Sequence, residues 1–191
     1  ISLDEIAAQE TQGKIIVISA LYFTSLLLTM ALNQIVFSEK FRASWIYFTA
    51  PLQRPGEVIL GAAKAAIFKF YIPMVFFITI AGVSIVGIRI LPNIILGLFN
   101  ELLIASCLVF IGHKTFPFSL QQNNNEKGGS ILNVIAVMFI SVFLAFGHYL
   151  IYDITMAVIL SSALSIIATW LLMGSIKRIS WNQIRSSYHP E

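Results

Sequence analysis

The sequence predicts an all-α polytopic membrane protein: one bundle of about five transmembrane helices, with a short amphipathic helix between the first two. Three observations carry this. Mean hydropathy is +0.85. Hydrophobic residues make up 58% of the chain and charged ones only 11%. The apolar residues are gathered into five long runs, and crossing a hydrocarbon layer of about 30 Å takes roughly 20 apolar helical residues. Backbone groups in lipid must be satisfied within the segment, so these runs are read as helices and not as open strands.

The spans fall at about 15–37, 58–88, 90–112, 131–152 and 154–176, within a single membrane domain covering 1–191. Before the first run, Ile1–Gly13 is polar and acidic (Asp4, Glu5, Glu10) and does not read as a signal peptide. It is expected to be a short lead-in, and the chain reads as the later part of a longer protein. Asn33 and Gln34 lie near the end of the first run. Phe41, Trp45 and Phe48 then fall at i, i+4 and i+7, one stripe of a short helix, with Ser38 as N-cap and Glu39 in the first turn. Pro51 and Arg54-Pro55-Gly56 interrupt the pattern.

The second span is longer than a straight crossing requires. Gly61/Ala65 and Ala62/Ala66 are pairs of small residues that let helices approach, and Pro73 predicts a kink. Arg89–Asn93, with Pro92, is a tight turn into the third span. His113–Ser130 is expected to be a polar, glycine-containing loop. The last two spans form a hairpin turning at Tyr152-Asp153.

Charge sets the expected orientation. With the first end outside, the inner side holds Lys40, Arg42, Arg54, Lys114, Lys127, Lys177, Arg178 and Arg185, and Lys64 and Lys69 snorkel to it. Only Lys14 and Arg89 of the 12 basic residues remain outside. The C-terminal tail is then cytoplasmic.

Several chemistries are absent from the sequence. There is no phosphate loop, no H-E-x-x-H pair, no G-x-S-x-G elbow and no cluster with metal-ligand spacing. No catalytic residue, metal or cofactor is therefore expected of this chain. The single cysteine, Cys107, sits in an apolar run and supports no disulfide. The basic residues form no face for a duplex, so no nucleic-acid partner is expected.

Glu101 is the sharpest single residue. It lies about ten residues, or roughly 15 Å of helix, from the Arg89 turn. An ionisable group at that depth is a substrate contact, a proton site or an ion-pair partner. The competing reading makes it a hydrogen-bonded packing residue, and with Asn100 beside it packing carries more weight. His148 and Asp153 could form a proton relay, but with no third partner we weight solvation at the interface above it. Tyr22, Tyr71, Tyr149, Tyr152, Trp170 and Trp181 read mostly as interfacial aromatics.

The Phe37–Gly56 segment has two readings: a helix resting on anionic lipid, or a docking knob for a partner groove. Its chemistry alone favours lipid. However, Glu39-Lys40-Phe41-Arg42-Ala43-Ser44-Trp45-Ile46-Tyr47, followed by Pro51, Arg54-Pro55-Gly56-Glu57 and Gly61-Ala62-Ala63-Lys64, resembles a segment of bacterial ABC-type exporter permeases. The order of spans is similar to the latter five helices of a six-helix permease unit. The resemblance implies a cytoplasmic ATP-binding subunit that docks on a coupling helix. It further implies a second permease copy or half, and a location in the bacterial cell membrane. Phe41, Arg42, Trp45 and Phe48 would couple to the ATPase, Pro73 would bend the next helix, and Glu101 with Asn100 would lie on the translocation path. The alternative is a proton-coupled secondary carrier or an intramembrane enzyme using Glu101. A membrane anchor or assembly protein without transport is a third possibility.

Overall fold

In a computed structural model of the chain, residues 3–112, 114–121 and 124–184 are described, with side chains for 11–112, 114–121 and 131–184. Lys127, Arg185 and the end of the tail, which entered the charge count, lie outside the described side chains. Seven α-helices follow in order: α1 Leu3–Gln34, α2 Ile46–Thr49, α3 Pro55–Ala66, α4 Ile72–Val86, α5 Leu91–Ile111, α6 Asn124–Ile151 and α7 Thr155–Lys177. Five helical segments are long and apolar enough to cross a membrane: Thr11–Gln34, Pro55–Val86, Ile88–Ile111, Ile131–Ile151 and Thr155–Lys177. Among the described residues the only β pairing is the isolated parallel bridge between Phe37 and Leu120.

α5 is the central helix. It packs most extensively on α7 and also on α1, while α1 packs on α6. Its buried positions recur at helical spacing as Asn93/Ile94, Leu96/Gly97, Asn100/Glu101 and Ile104/Ala105. α1 answers with Val17/Ile18, Leu21/Tyr22, Thr24/Ser25, Leu28/Thr29 and Leu32. α7 turns Val158, Ser162, Ser165, Thr169 and Ile176 inward, a seam in steps of four, three, four and seven. The opposite faces carry exposed Phe23, Phe76, Phe77, Phe139, Phe143, Leu160, Leu164 and Trp170. An outward apolar face with a partly polar inward seam reverses the pattern of a water-soluble bundle and suits lipid.

The helix ends differ from the sequence reading in several places. α1 begins at Leu3, inside the expected lead-in. Its early residues include Ala, Glu and Gln, strong helix formers, so the helix continues past the apolar run at little cost. α6 likewise starts at Asn124, within the expected loop. Pro73 does not act alone: Ile67–Tyr71 form a π turn, and Ile72 N–H bonds to the Ile67 carbonyl, one residue farther back than in an α-helix. Proline lacks an N–H for the residue-69 carbonyl and crowds it, and the wider turn absorbs that defect. Gly61 has no atom within 4 Å of where a Cβ would stand. Ala63 and Ala66 form the buried face of α3 instead, so the expected Gly61/Ala65 close approach is not made within this chain. The tight approach is at Gly56, where an added Cβ would collide with the Ile176 carbonyl oxygen.

Gly87, at φ +92°, ends α4. A left-handed residue there suits glycine, and the Ile88–Ile90 3-10 turn leads into α5 with Pro92 in its first turn. The α6–α7 hairpin turns at Tyr152-Asp153, as the sequence indicates. The arrangement is an all-α membrane bundle.

Candidate functional site

Two places in the bundle gather polar or aromatic groups beyond what packing demands. The first is inside it. At the Asp153 end, Asn93 Nδ2 donates to the Tyr152 carbonyl at 3.4 Å. The Asn93 Oδ1 is thereby the acceptor that faces His148 Nε2 at 3.0 Å, so that nitrogen carries the hydrogen. His148 Nδ1 is then left to accept from the Tyr22 hydroxyl at 3.2 Å. Tyr22 in turn accepts from Asn100 Nδ2 at 2.7 Å. Asn100 Oδ1 accepts from the Ser165 hydroxyl at 2.6 Å. Every hydrogen in this chain points the same way, from mid-bundle toward the Asp153 end. Four helices contribute: α5 (Asn93, Asn100), α6 (His148), α1 (Tyr22) and α7 (Ser165). The Tyr22 ring also meets the imidazole edge-on, with centroids 5.8 Å apart. A separate link joins Ser141 to Ser25 at 2.9 Å.

Glu101 follows Asn100 at the midpoint of α5. It is 1% exposed. Among the described residues neither carboxyl oxygen has a hydrogen-bond partner, and the Thr169 hydroxyl has none either. The Tyr22 and Tyr71 hydroxyls are the groups its carboxyl acts on electrostatically. Tyr71 itself donates to the Leu98 carbonyl at 3.1 Å. The π turn places this tyrosine, which is 1% exposed, in the core.

His148 and Asp153 are not brought together. His148 is buried in the chain just described. Asp153 is at the surface, paired with Lys14 at 2.8 Å. The Lys14 ammonium also lies over the Tyr152 ring, 5.1 Å from its centroid. Tyr22, Tyr71 and Tyr152 are buried and so are not interfacial anchors, whereas Tyr149 and Trp170 are exposed. The hydrogen-bond partners of His148 that sequence reasoning missed are Tyr22 and Asn93, with Ser165 farther along the same chain. One signal could have found them. Asn93, Asn100 and Glu101 share a face of one helix at i, i+7 and i+8, and Ser162, Ser165 and Thr169 share one at i, i+3 and i+7.

The second place is the opposite end of the bundle. The predicted short helix is a 3-10 turn, Phe41–Trp45, running into α2. Ser38 accepts from the Lys40 N–H at 3.1 Å and does not cap the turn, which begins at Phe41. The three-residue period shears the expected stripe. Phe41 is half-buried. Phe48 remains 38% exposed but lays one side of its ring against the platform, 5.8 Å from Phe116 and 5.9 Å from Trp181. Trp45 and Ile46 turn outward, 50% and 55% exposed. Arg42 is exposed beside them.

What holds this element is Phe116, a residue of the α5–α6 connection that the sequence did not single out. It is 1% exposed. Tyr47 stacks on it at 4.6 Å and Trp181 meets it at 5.7 Å. Burial there pushes the Tyr47 hydroxyl above its ordinary range. Trp181 Nε1 donates to the Leu52 carbonyl at 3.2 Å. Main-chain bonds tie the end of α1 to the α5–α6 connection: Ser38 to Leu120, Phe118 to Ile35 and Leu120 to Val36. Three connections thus form one platform, with Trp45 and Ile46 on its outer surface.

Among the described residues, no three His, Cys, Asp or Glu side chains come together as a metal site. No protein-family model, curated protein or solved structure matches this chain.

Proposed function

We propose that this chain is the membrane-spanning component of an ATP-driven exporter. A separate ATP-binding subunit docks from the cytoplasm on Trp45, Ile46 and Arg42, and a second permease copy or half completes the pathway. The cell membrane, with the Asp153 turn outside and the Trp45 platform inside, is the setting this reading requires. Glu101 and Asn100 lie on the helix that would line the path.

The observation that carries the reading is the build of the platform. A helix that merely rests on lipid needs no support from the protein beneath it. Here Tyr47 and Phe48 are clamped on Phe116 and Trp181, which leaves Trp45 and Ile46 raised on a fixed base. A rigid base is what transmission of force from a docked subunit demands. The base also touches α3 and α7, because Glu57 lies 3.5 Å from Lys177 and Gly56 abuts the end of α7. A push on Trp45 would therefore reach two spans. Pro73 and the π turn give the Pro55–Val86 span, which α3 begins, a compliant point.

The test is a pull-down in detergent with the phosphate-loop ATPase encoded nearest to this chain. A buried aromatic anchor contributes about 2 kcal/mol or more to an interface, roughly thirtyfold in affinity. Trp45→Ala is expected to insert normally and to lose the ATPase. Equal recovery with both chains rejects the docking role, and no recovery even with wild type removes the exporter reading.

A further inference from the structure

A carboxyl at the centre of a membrane bundle needs a positive partner, and Glu101 has none among the described side chains. The groups around it can be named from each packed element. α1 brings Tyr22, the π turn brings Tyr71, α5 brings Asn100, α6 brings His148 through Tyr22, and α7 brings Ser165 through Asn100, with Thr169 one turn along the same face. None is a lysine or arginine. Lys69, on the same π turn as Tyr71, points away, with its ammonium 5.5 Å from the centre of the exposed Phe70 ring. Lys14 is committed to Asp153 at the bundle end.

A metal ion such as calcium or magnesium takes about six or more oxygen ligands, whereas neither Glu101 oxygen has even one polar partner. A proton needs a single oxygen. We propose that Glu101 is an intramembrane proton-binding site, and that its proton exchanges with the Asp153 end of the bundle through the Tyr22 hydroxyl and the His148 imidazole. This goes beyond the exporter reading and does not depend on it.

The hydrogen-bond polarity gives the step. With Nε2 protonated and Nδ1 bare, His148 accepts a proton only from Tyr22. As the Tyr22 O–H proton passes to Nδ1, the oxygen takes the Glu101 proton. One O–H bond breaks and one forms at Tyr22, Glu101 is left as carboxylate, and His148 becomes imidazolium. Imidazolium then releases its Nε2 proton to water admitted at the Asp153 end, which leaves the Nδ1–H tautomer; that tautomer must return to Nε2–H before a second proton can follow. The Asn100 amide and the Ser165 hydroxyl hold the Tyr22 oxygen in place and carry no proton. The Glu101–Tyr22 link is open here, since neither carboxyl oxygen is bonded. Transfer requires the Glu101 carboxyl to move into contact with the Tyr22 oxygen, so the route is interrupted in this conformation.

The chain in lipid nanodiscs should show, by infrared difference spectroscopy over pH, a protonated-carboxyl band that shifts in deuterium oxide. Glu101→Gln should remove the band. If that variant does not fold, Glu101→Asp keeps the carboxyl and should move the band without abolishing it. Tyr22→Phe keeps the ring packing and deletes only the hydroxyl. It should leave the band present and slow its hydrogen–deuterium exchange about tenfold or more. No such band in wild type, or a band indifferent to both Glu101 variants, overturns the site. A band that exchanges at the wild-type rate in Tyr22→Phe overturns the route.

Discussion

Asn100 shows what a single side chain does at the centre of this bundle. Its amide bonds two other helices at once, accepting from Ser165 of α7 and donating to Tyr22 of α1. Removing it leaves the Ser165 proton without an acceptor and the Tyr22 oxygen without a donor. Orphaned buried groups cost about 1–3 kcal/mol, while single hydrogen bonds between membrane helices average nearer 0.6 kcal/mol. Asn100→Ala should therefore lower thermal stability in detergent clearly more than Ser165→Ala, which breaks one bond only. Equal losses would mean that the chain is a set of independent pairs. The sequence made Glu101 and Asn100 visible because polar residues stand out in an apolar run. It hid Tyr22 because a tyrosine in a span looks the same whether it faces lipid headgroups or a neighbouring amide, and the face is decided only by packing.

At the level of elements, the spans could be read and the joints could not. Hydropathy marks the apolar core of a helix to within a turn, but α1 and α6 run past that core because helix propagation is inexpensive once started. The Phe41–Phe48 stripe assumed a period of 3.6, and the 3-10 turn changed which aromatic faces outward. Phe116 gave no signal, since it lies in an irregular connection whose partners come from two other loops. Gly56 is the joint with the clearest consequence. Its missing side chain lets the start of α3 lie against backbone atoms of Ile176, Lys177 and Ile179. Backbone cannot rotate aside as a flexible side chain can. Gly56→Ala should force α3 off α7, costing about 1–3 kcal/mol as overpacking does. It should also loosen the Trp181 platform. Gly61→Ala, facing open space, should be neutral or slightly stabilising as a helix interior change. Detergent melting curves of the two variants, with Trp181 fluorescence read alongside, make the comparison. A neutral Gly56→Ala would show that the α3–α7 crossing is adjustable.

Across the whole molecule, five spans place the two bundle ends on opposite sides of a membrane, and the two candidate sites separate with them. The polar chain runs toward the Asp153 turn and ends on the Tyr152 carbonyl, and the aromatic platform caps the other end. The sign of that arrangement comes from charge. Lys40, Arg42, Arg54, Lys64, Lys69, Lys114, Lys177 and Arg178 all belong to the platform end, against Lys14 and Arg89 at the other. The bias counts basic residues and not net charge, so the Lys14–Asp153 and Lys177–Glu57 pairs at the two ends leave it unchanged. Single cysteines at Gln53 and Asp153, in a background lacking Cys107, should then react with a membrane-impermeant thiol reagent from opposite sides. In intact cells Asp153→Cys should label and Gln53→Cys should not; in inverted vesicles the order should reverse. Both positions are exposed, so accessibility does not limit either reaction. Loss of the surface Lys14–Asp153 pair costs about 1 kcal/mol or less and leaves the bundle intact. Labelling of both from one side would remove the five-span arrangement, and labelling with sides exchanged would invert the molecule. An inverted molecule would put Trp45 beyond the reach of any cytoplasmic ATPase, so this experiment also bears on the exporter reading.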